Sequence, residues 1–162
     1  MSVKLLDIKL ETCPAARLIG KKYSAPGNWG EWWANGWFDI LESLPGLDFN
    51  CDGYTGAVHT VDGKPEYWIG MYFPVDIQVP EGFEAVDIPE LRYAVCYLYG
   101  REDDPELYSE ASHNACQEAL NGLGMTSREN SWRFERYSCP RFTTPDEYGC
   151  VILDYGISVA QQ

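Results

Sequence analysis

The pattern of apolar residues predicts an α+β domain in which a strand-helix-strand-strand (β-α-β-β) unit occurs twice, giving an antiparallel sheet, two main helices and pseudo-twofold symmetry. Three observations carry this expectation. Each half opens on an alternating strand that leads into a helical pattern, each closes on two strand-like runs, and a proline-bearing stretch over 74–90 separates them. A crevice should run along the seam between such halves, where small-molecule sites concentrate.

At the start, "LLDIKLE" alternates weakly, and the first repeat, about 14–75, begins with a strand over "ARLIGKKYS", punctuated by Pro26 and Gly27. Asn28 with Glu31 three residues on predicts a helix start of capping-box type. Trp33, Trp37, Ile40, Leu41 and Leu44 follow at helical spacing, and Pro45 with Gly46 ends the helix. The row Trp29, Trp33, Trp37 is four apart; Trp33 and Trp37 read as core, whereas Trp29 and Trp32, in the first turn, suit either core or the wall of a cleft. "YTGAVHTV" and "EYWIGMYFPV" flank Asp62 and Gly63, a strong hairpin signal. Gly70, between Trp68 and Tyr72, marks a shallow hollow, a bulge or a strand crossing.

The 74–90 stretch, with Pro74, Pro80 and Pro89, reads as an extended connector. The second repeat, about 83–159, then gives a strand over "LRYAVCYLYG" and a helix capped by Asp104 and Pro105 that runs to about Asn121. Its apolar stripe is Leu107, Tyr108, Ala111, Ala115, Cys116, Ala119 and Leu120, and Gly122 and Gly124 end it. "SWRFERYS" and "EYGCVILDYGISV" supply the closing strands.

Composition narrows the function. With 162 residues, 45% hydrophobic and 14% aromatic, the chain can bury a core as one domain over 1–162. A net charge of -13 argues against binding a phosphate backbone and makes cations the more natural guests. No signal peptide or membrane span is evident, so a cytoplasmic location is expected. The six cysteines, Cys13, Cys51, Cys96, Cys116, Cys139 and Cys150, are scattered without a C-x-x-C pair and read as free thiols, and no metal or cofactor is expected. His113 falls on the polar side of its helix with Glu106, Glu110 and Gln117, and His59 has no partner suggestive of a triad. Walker, dinucleotide and G-x-S-x-G patterns do not occur.

Within "SWRFERYS", alternation sends Trp132, Phe134 and Arg136 to one side and Arg133, Glu135 and Tyr137 to the other. Glu135 is therefore either an ion-pair partner of Arg133, two residues away on its own face, or an acid among aromatic rings that seeks a cationic guest.

The stretch "YWIGMYFPVDIQVPEGFEAVDIPELRYAVCYLYG", with "FERY" and the closing "VILDYGISV", resembles the GyrI-like small-molecule-binding domains, which also form the effector-binding half of AraC-type and MerR-type multidrug-responsive regulators. The likeness spans about 14–159 and implies a duplicated, SHS2-like fold with a central cleft. It assigns Glu135 to the base of that cleft, with Tyr137, Trp68, Tyr72, Met71 and Trp132 as wall residues. Trp132 sits awkwardly there, because a regular strand cannot turn both Trp132 and Glu135 inward. The 15 residues before Ala16 are too few for a helix-turn-helix, so a stand-alone binder of hydrophobic, often cationic aromatic compounds is expected, without DNA or membrane binding. Three alternatives remain. One is a hydrolase of cyclopropane-bearing or similar electrophiles, with Glu135 as general base and Tyr137 orienting water. Another is a protein-interaction module of the gyrase-inhibitor type, and the last is the related haem-binding fold, for which neither histidine offers a convincing ligand.

Overall fold

A two-residue turn at Asp62 and Gly63, both with positive φ (50° and 76°), matches the strand twist and closes the hairpin between β3 (Tyr54–Val61) and β4 (Lys64–Phe73). The computed structural model describes residues 3–45, 53–128, 132–138 and 140–160; Gly46, Cys51, Ser131 and Cys139 lie outside them. The other strands are β1 (Lys4–Cys13), β2 (Ala16–Tyr23), β5 (Glu84–Ile88), β6 (Leu91–Arg101), β7 (Trp132–Tyr137) and β8 (Cys150–Ser158). All eight form one antiparallel sheet in the order β1-β6-β8-β7-β3-β4-β2-β5.

That order is symmetric about the β7/β3 seam. One half contributes β6-β8-β7 and the other β3-β4-β2, with an additional strand at each outer edge. The edge strands are exchanged: β1 precedes β2 in the chain but pairs with β6, and β5 precedes β6 but pairs with β2. The α+β duplication expected from the sequence is present, and β1 and β5 extend it. The 74–90 stretch is thus more than a connector: its Glu84–Ile88 segment registers Ala16 opposite Ile88 and Gly20 opposite Glu84. Its prolines fall outside the strand, where no ladder donor is lost.

Pro89 and Glu90 alone join β5 to β6, which stand six places apart in the sheet. Six spacings of about 4.8 Å would separate them by nearly 30 Å in a flat sheet. Three Cα steps of about 3.8 Å reach at most ~11 Å. The sheet must therefore curl, and the face it curls over is filled by Leu18, Ala57, Trp68, Ile88, Leu91, Tyr93, Val95, Trp132 and Phe134.

The helices cover the other face in two clusters. Trp32, Phe38 and Leu41 pack on Ile19, Ile69, Met71 and Phe73, while Leu107, Cys116 and Leu120 pack on Ala94, Cys96, Leu98, Val151 and Leu153. The expected single helix from Asn28 is two: α1 (Trp29–Asn35) and α2 (Trp37–Glu42), broken at Gly36, whose φ of 65° stops the first. This break abolishes the row of three tryptophans. Trp33 is 56% exposed and Trp37 half-buried, while Trp32 is fully buried and donates its indole N–H to Tyr23 Oη at 3.1 Å. The Asn28 side chain makes no cap bond and turns back to the Ala25 carbonyl.

The second predicted helix is likewise divided. Asp104 caps a 3₁₀ turn, Pro105–Tyr108, by accepting the Glu106 N–H at 2.9 Å; Ser109 is extended, and α3 (Glu110–Gly122) follows. Tyr108 and Ala111 are exposed rather than core, because this division rotates them away from the sheet. Among the described residues, Cys13, Cys96, Cys116 and Cys150 form no disulfide.

Candidate functional site

Both helical segments begin over the β7/β3 seam, and between them lies a cavity of about 220 Å³. Its floor is the sheet itself, residues 56–58, 67–69 and 133–135; its walls are the Ala25–Trp29 turn on one side and Leu107–His113 on the other, with Tyr155 from β8. The pseudo-twofold arrangement thus places the site where two equivalent helix starts face one another.

Glu135 stands on this floor. Its cross-strand partners are Gly56 on β3 and Tyr155 on β8. Gly56 is what leaves the floor open: a Cβ there would meet the Trp29 ring at 3.2 Å and Glu135 Oε2 at 3.9 Å. Tyr137 donates its hydroxyl to Glu135 Oε2 at 2.6 Å, and the edge of Tyr137 meets Trp29 with ring centroids 4.9 Å apart. Among the described residues no cation pairs with Glu135 within 4.0 Å. Burial pushes the Glu135 carboxyl above its ordinary value, against the smaller opposing effects of the Tyr137 hydrogen bond and the nearby Arg133 charge. The Tyr137 phenol is also pushed well up, by its own burial and by the adjacent carboxylate.

Arg133 therefore does not neutralise Glu135. Its guanidinium lies 3.3 and 3.4 Å from the two ring nitrogens of His113, whose Nδ1 is 2.5 Å from Tyr155 Oη. Burial, and then the Arg133 charge, hold the His113 pKa below its ordinary value, so the ring is neutral beside the arginine. His113 is half-buried at the cavity wall instead of solvated, because α3 starts after the extended Ser109 and turns that face inward.

Glu135 and Trp29 meet at the cavity, and Tyr137 supports Glu135 from behind. Trp68 borders it from the strand, but its indole belongs to the cluster on the opposite face, since alternation sends Ile69 and Trp68 to different sides. Trp32 and Met71 are core under the first helical pair, not wall. Trp132 lies on the far face, stacked on His59 at 4.2 Å. Tyr72 also lies there, beside a small separate hollow of about 40 Å³. Gly70 marks a strand crossing and no hollow: it opposes Gly20, and a Cβ on it would meet the Ile19 carbonyl oxygen at 2.1 Å. The contributions of Gly56, His113 and Tyr155 were not legible. Gly56 could have been found from its place opposite the acid once β3 and β7 were paired.

Arg136, on the reverse face of the same strand, is buried and bound to Asp154 at 2.9 Å and Glu11 at 3.0 Å, and Arg141 also binds Asp154. Thus the two arginines flanking Glu135 serve opposite faces. Among the described residues no group of three potential ligands could hold a metal, and no helix is long and apolar enough to cross a membrane.

No protein-family model and no curated protein matches this sequence. Solved structures do. SAV2435 bound to tetraphenylphosphonium superposes with a TM-score of 0.72 at 14% identity, over 96% of this chain and 94% of that one. A putative bacterial transcription regulation protein from Staphylococcus aureus MU50 gives 0.68 at 15% identity, over 96% and 99% of the two chains. The C-terminal domain of EcmrR gives 0.66 at 11%, over 96% and 98%. With eight strands in mirrored order and a cavity over their central seam, this chain has the fold of the GyrI-like effector-binding domains.

Proposed function

We propose that the cavity over the β7/β3 seam binds hydrophobic aromatic cations, with Glu135 as their charge partner. One observation carries this reading: a carboxylate sits on the floor of a cavity, held by one phenol and left without a cation among the described residues. A desolvated acid is costly to maintain unless something repays it, and a bound cation would. Trp29, Tyr67, Tyr108 and Tyr155 surround it, and rings facing a desolvated cation contribute about 2 kcal/mol each in favourable cases. The tetraphenylphosphonium held by SAV2435 is a ligand of this chemistry on the same fold. At about 220 Å³ the cavity exceeds the ~150 Å³ that accepts one benzene and falls short of the usual ~300 Å³ of drug-sized sites, which favours compact two- or three-ring guests.

The test is fluorescence titration of 9-aminoacridine, a planar cation, and neutral acridone into wild type and Glu135→Gln. The expected result is cation binding that weakens at least tenfold, about 1.4 kcal/mol, in the variant while acridone binding is unchanged. Equal cation affinity in both proteins would overturn the reading.

The short Tyr137–Glu135 bond and the raised carboxyl pKa also favour a second reading, in which Glu135 is the general base of a hydrolase for strained electrophiles. In that case Glu135→Gln would still bind a cyclopropane-bearing substrate and would no longer open its ring.

A further inference from the structure

The cavity is not uniformly acidic. Arg133 and Glu135 project from the same face of β7, two residues and about 6.6 Å apart along the strand, and both line the space. Arg133 has no carboxylate within 4.0 Å among the described residues; Glu110, at the rim, forms no ion pair with it. What meets the guanidinium is the neutral His113 ring, itself fixed by Tyr155. In a chain with 25 acidic residues against 12 basic ones, an arginine kept in a cavity without an acid is as conspicuous as the acid kept without a base.

Building on the proposed cation site, we infer that the cavity is dipolar: Glu135 receives a ligand's cationic group while Arg133, backed by His113, receives a carboxylate or carbonyl oxygen on the same molecule. The ligand class this selects is a planar zwitterion or an aromatic cation bearing a strongly accepting oxygen. The opposed charges of such a guest would lie several ångströms apart. Each protein charge then does two tasks. Glu135 attracts the cation and repels anions that approach alone, and Arg133 does the reverse, so a guest with both groups is favoured over either singly charged analogue. Arginine suits this role, because its planar fork binds carboxylates in a bidentate manner.

The experiment compares 9-aminoacridine with 9-aminoacridine-2-carboxylate by fluorescence titration at pH 7.5. Wild type is expected to bind the carboxylate about tenfold more tightly than the parent. Arg133→Gln should remove that preference while binding the parent as well or better, since a positive charge beside the cation is gone. Arg133→Lys, which keeps the charge, should retain part of the preference, and Glu135→Gln should weaken both probes. Circular dichroism melts confirm that each variant is folded. Parent binding that depends on Glu135 with no preference for the carboxylate, or a preference that survives Arg133→Gln, would overturn the dipolar site and leave the cation site standing. Folded wild type that binds neither probe would overturn both.

Discussion

Replacing Glu135 by glutamine should stabilise the protein at neutral pH, and by an amount set by two opposing effects. Glutamine preserves the shape and an acceptor for the Tyr137 hydroxyl, so the 2.6 Å bond survives as a neutral one. That exchange costs about 1 kcal/mol, the difference between a charge-assisted and an ordinary hydrogen bond. Against it stands the relief of desolvation, several kcal/mol for a fully buried ion and about 2 kcal/mol when discounted for the half-buried position of Glu135. The net gain is about 1 kcal/mol, or roughly 2–4 °C in a domain of this size. The sign follows from the raised folded-state pKa. Such a carboxyl contributes stability below its unfolded value and loses it as pH rises through the folded one, so the ionised form weakens the native state. The groups that face it are Tyr137 and Arg133 on its own strand, Tyr155 from β8 and Tyr108 from the 3₁₀ turn. Thermal unfolding of both proteins at pH 7.5 and pH 4 reads the effect. The variant should melt higher at pH 7.5, and the gap should close at pH 4, where the glutamate is itself protonated. A variant that melts lower at pH 7.5, or a gap independent of pH, would mean that the carboxylate is effectively paired and would refute the argument.

Removing the Tyr137 hydroxyl with Tyr137→Phe takes away a bond that favours ionised Glu135, so the pH at which cation binding fails on acidification should move upward in a titration series. Trp32→Ala should cost about 3–5 kcal/mol by denaturant unfolding, because the indole is fully buried, whereas Trp33→Ala should cost less than about 1. Arg136→Met removes one of the two arginines that hold the fully buried Asp154 and leaves it, among the described residues, Arg141 and Ser138 as side-chain partners, so a loss of about 1.5–3 kcal/mol is expected by the same method.

Period-two alternation and one turn dipeptide were enough to place β2, β3, β4, β6, β7 and β8, because each has one face against the helices and a second that alternation keeps distinct. The same alternation correctly separated Trp132 from Glu135. What was hidden depended on partners distant in the chain. β5 has only five residues and no pattern of its own, and becomes a strand because β2 offers it an open edge. The helix break at Gly36 overrode a row of tryptophans that spacing alone would have buried: Trp33 is left exposed, while Trp37 still packs, half-buried, against the core beside Trp32. The family resemblance points to Trp68, Tyr72 and Met71 as walls, but a motif match does not reveal which face of a curled sheet each side chain takes: Trp68 and Tyr72 join one cluster and Met71 another. Arg133 could be recognised as a partner for something other than Glu135 only once α3 had carried His113 to it.

The exchanged edge strands have a consequence for how the chain reaches this state. Lys4 pairs with Tyr99, and Glu11 waits for Arg136, so β1, made before either partner, has no ladder until β6 exists and its Glu11 no ion pair until β7 does. β5 is the opposite case, closing at once on β2 and delivering β6 to its place. Folding should consequently be slow for the chain's length, with many late contacts between distant residues. A cut between β4 and β5 would separate neither half cleanly, since each fragment would hold the edge strand that the other needs.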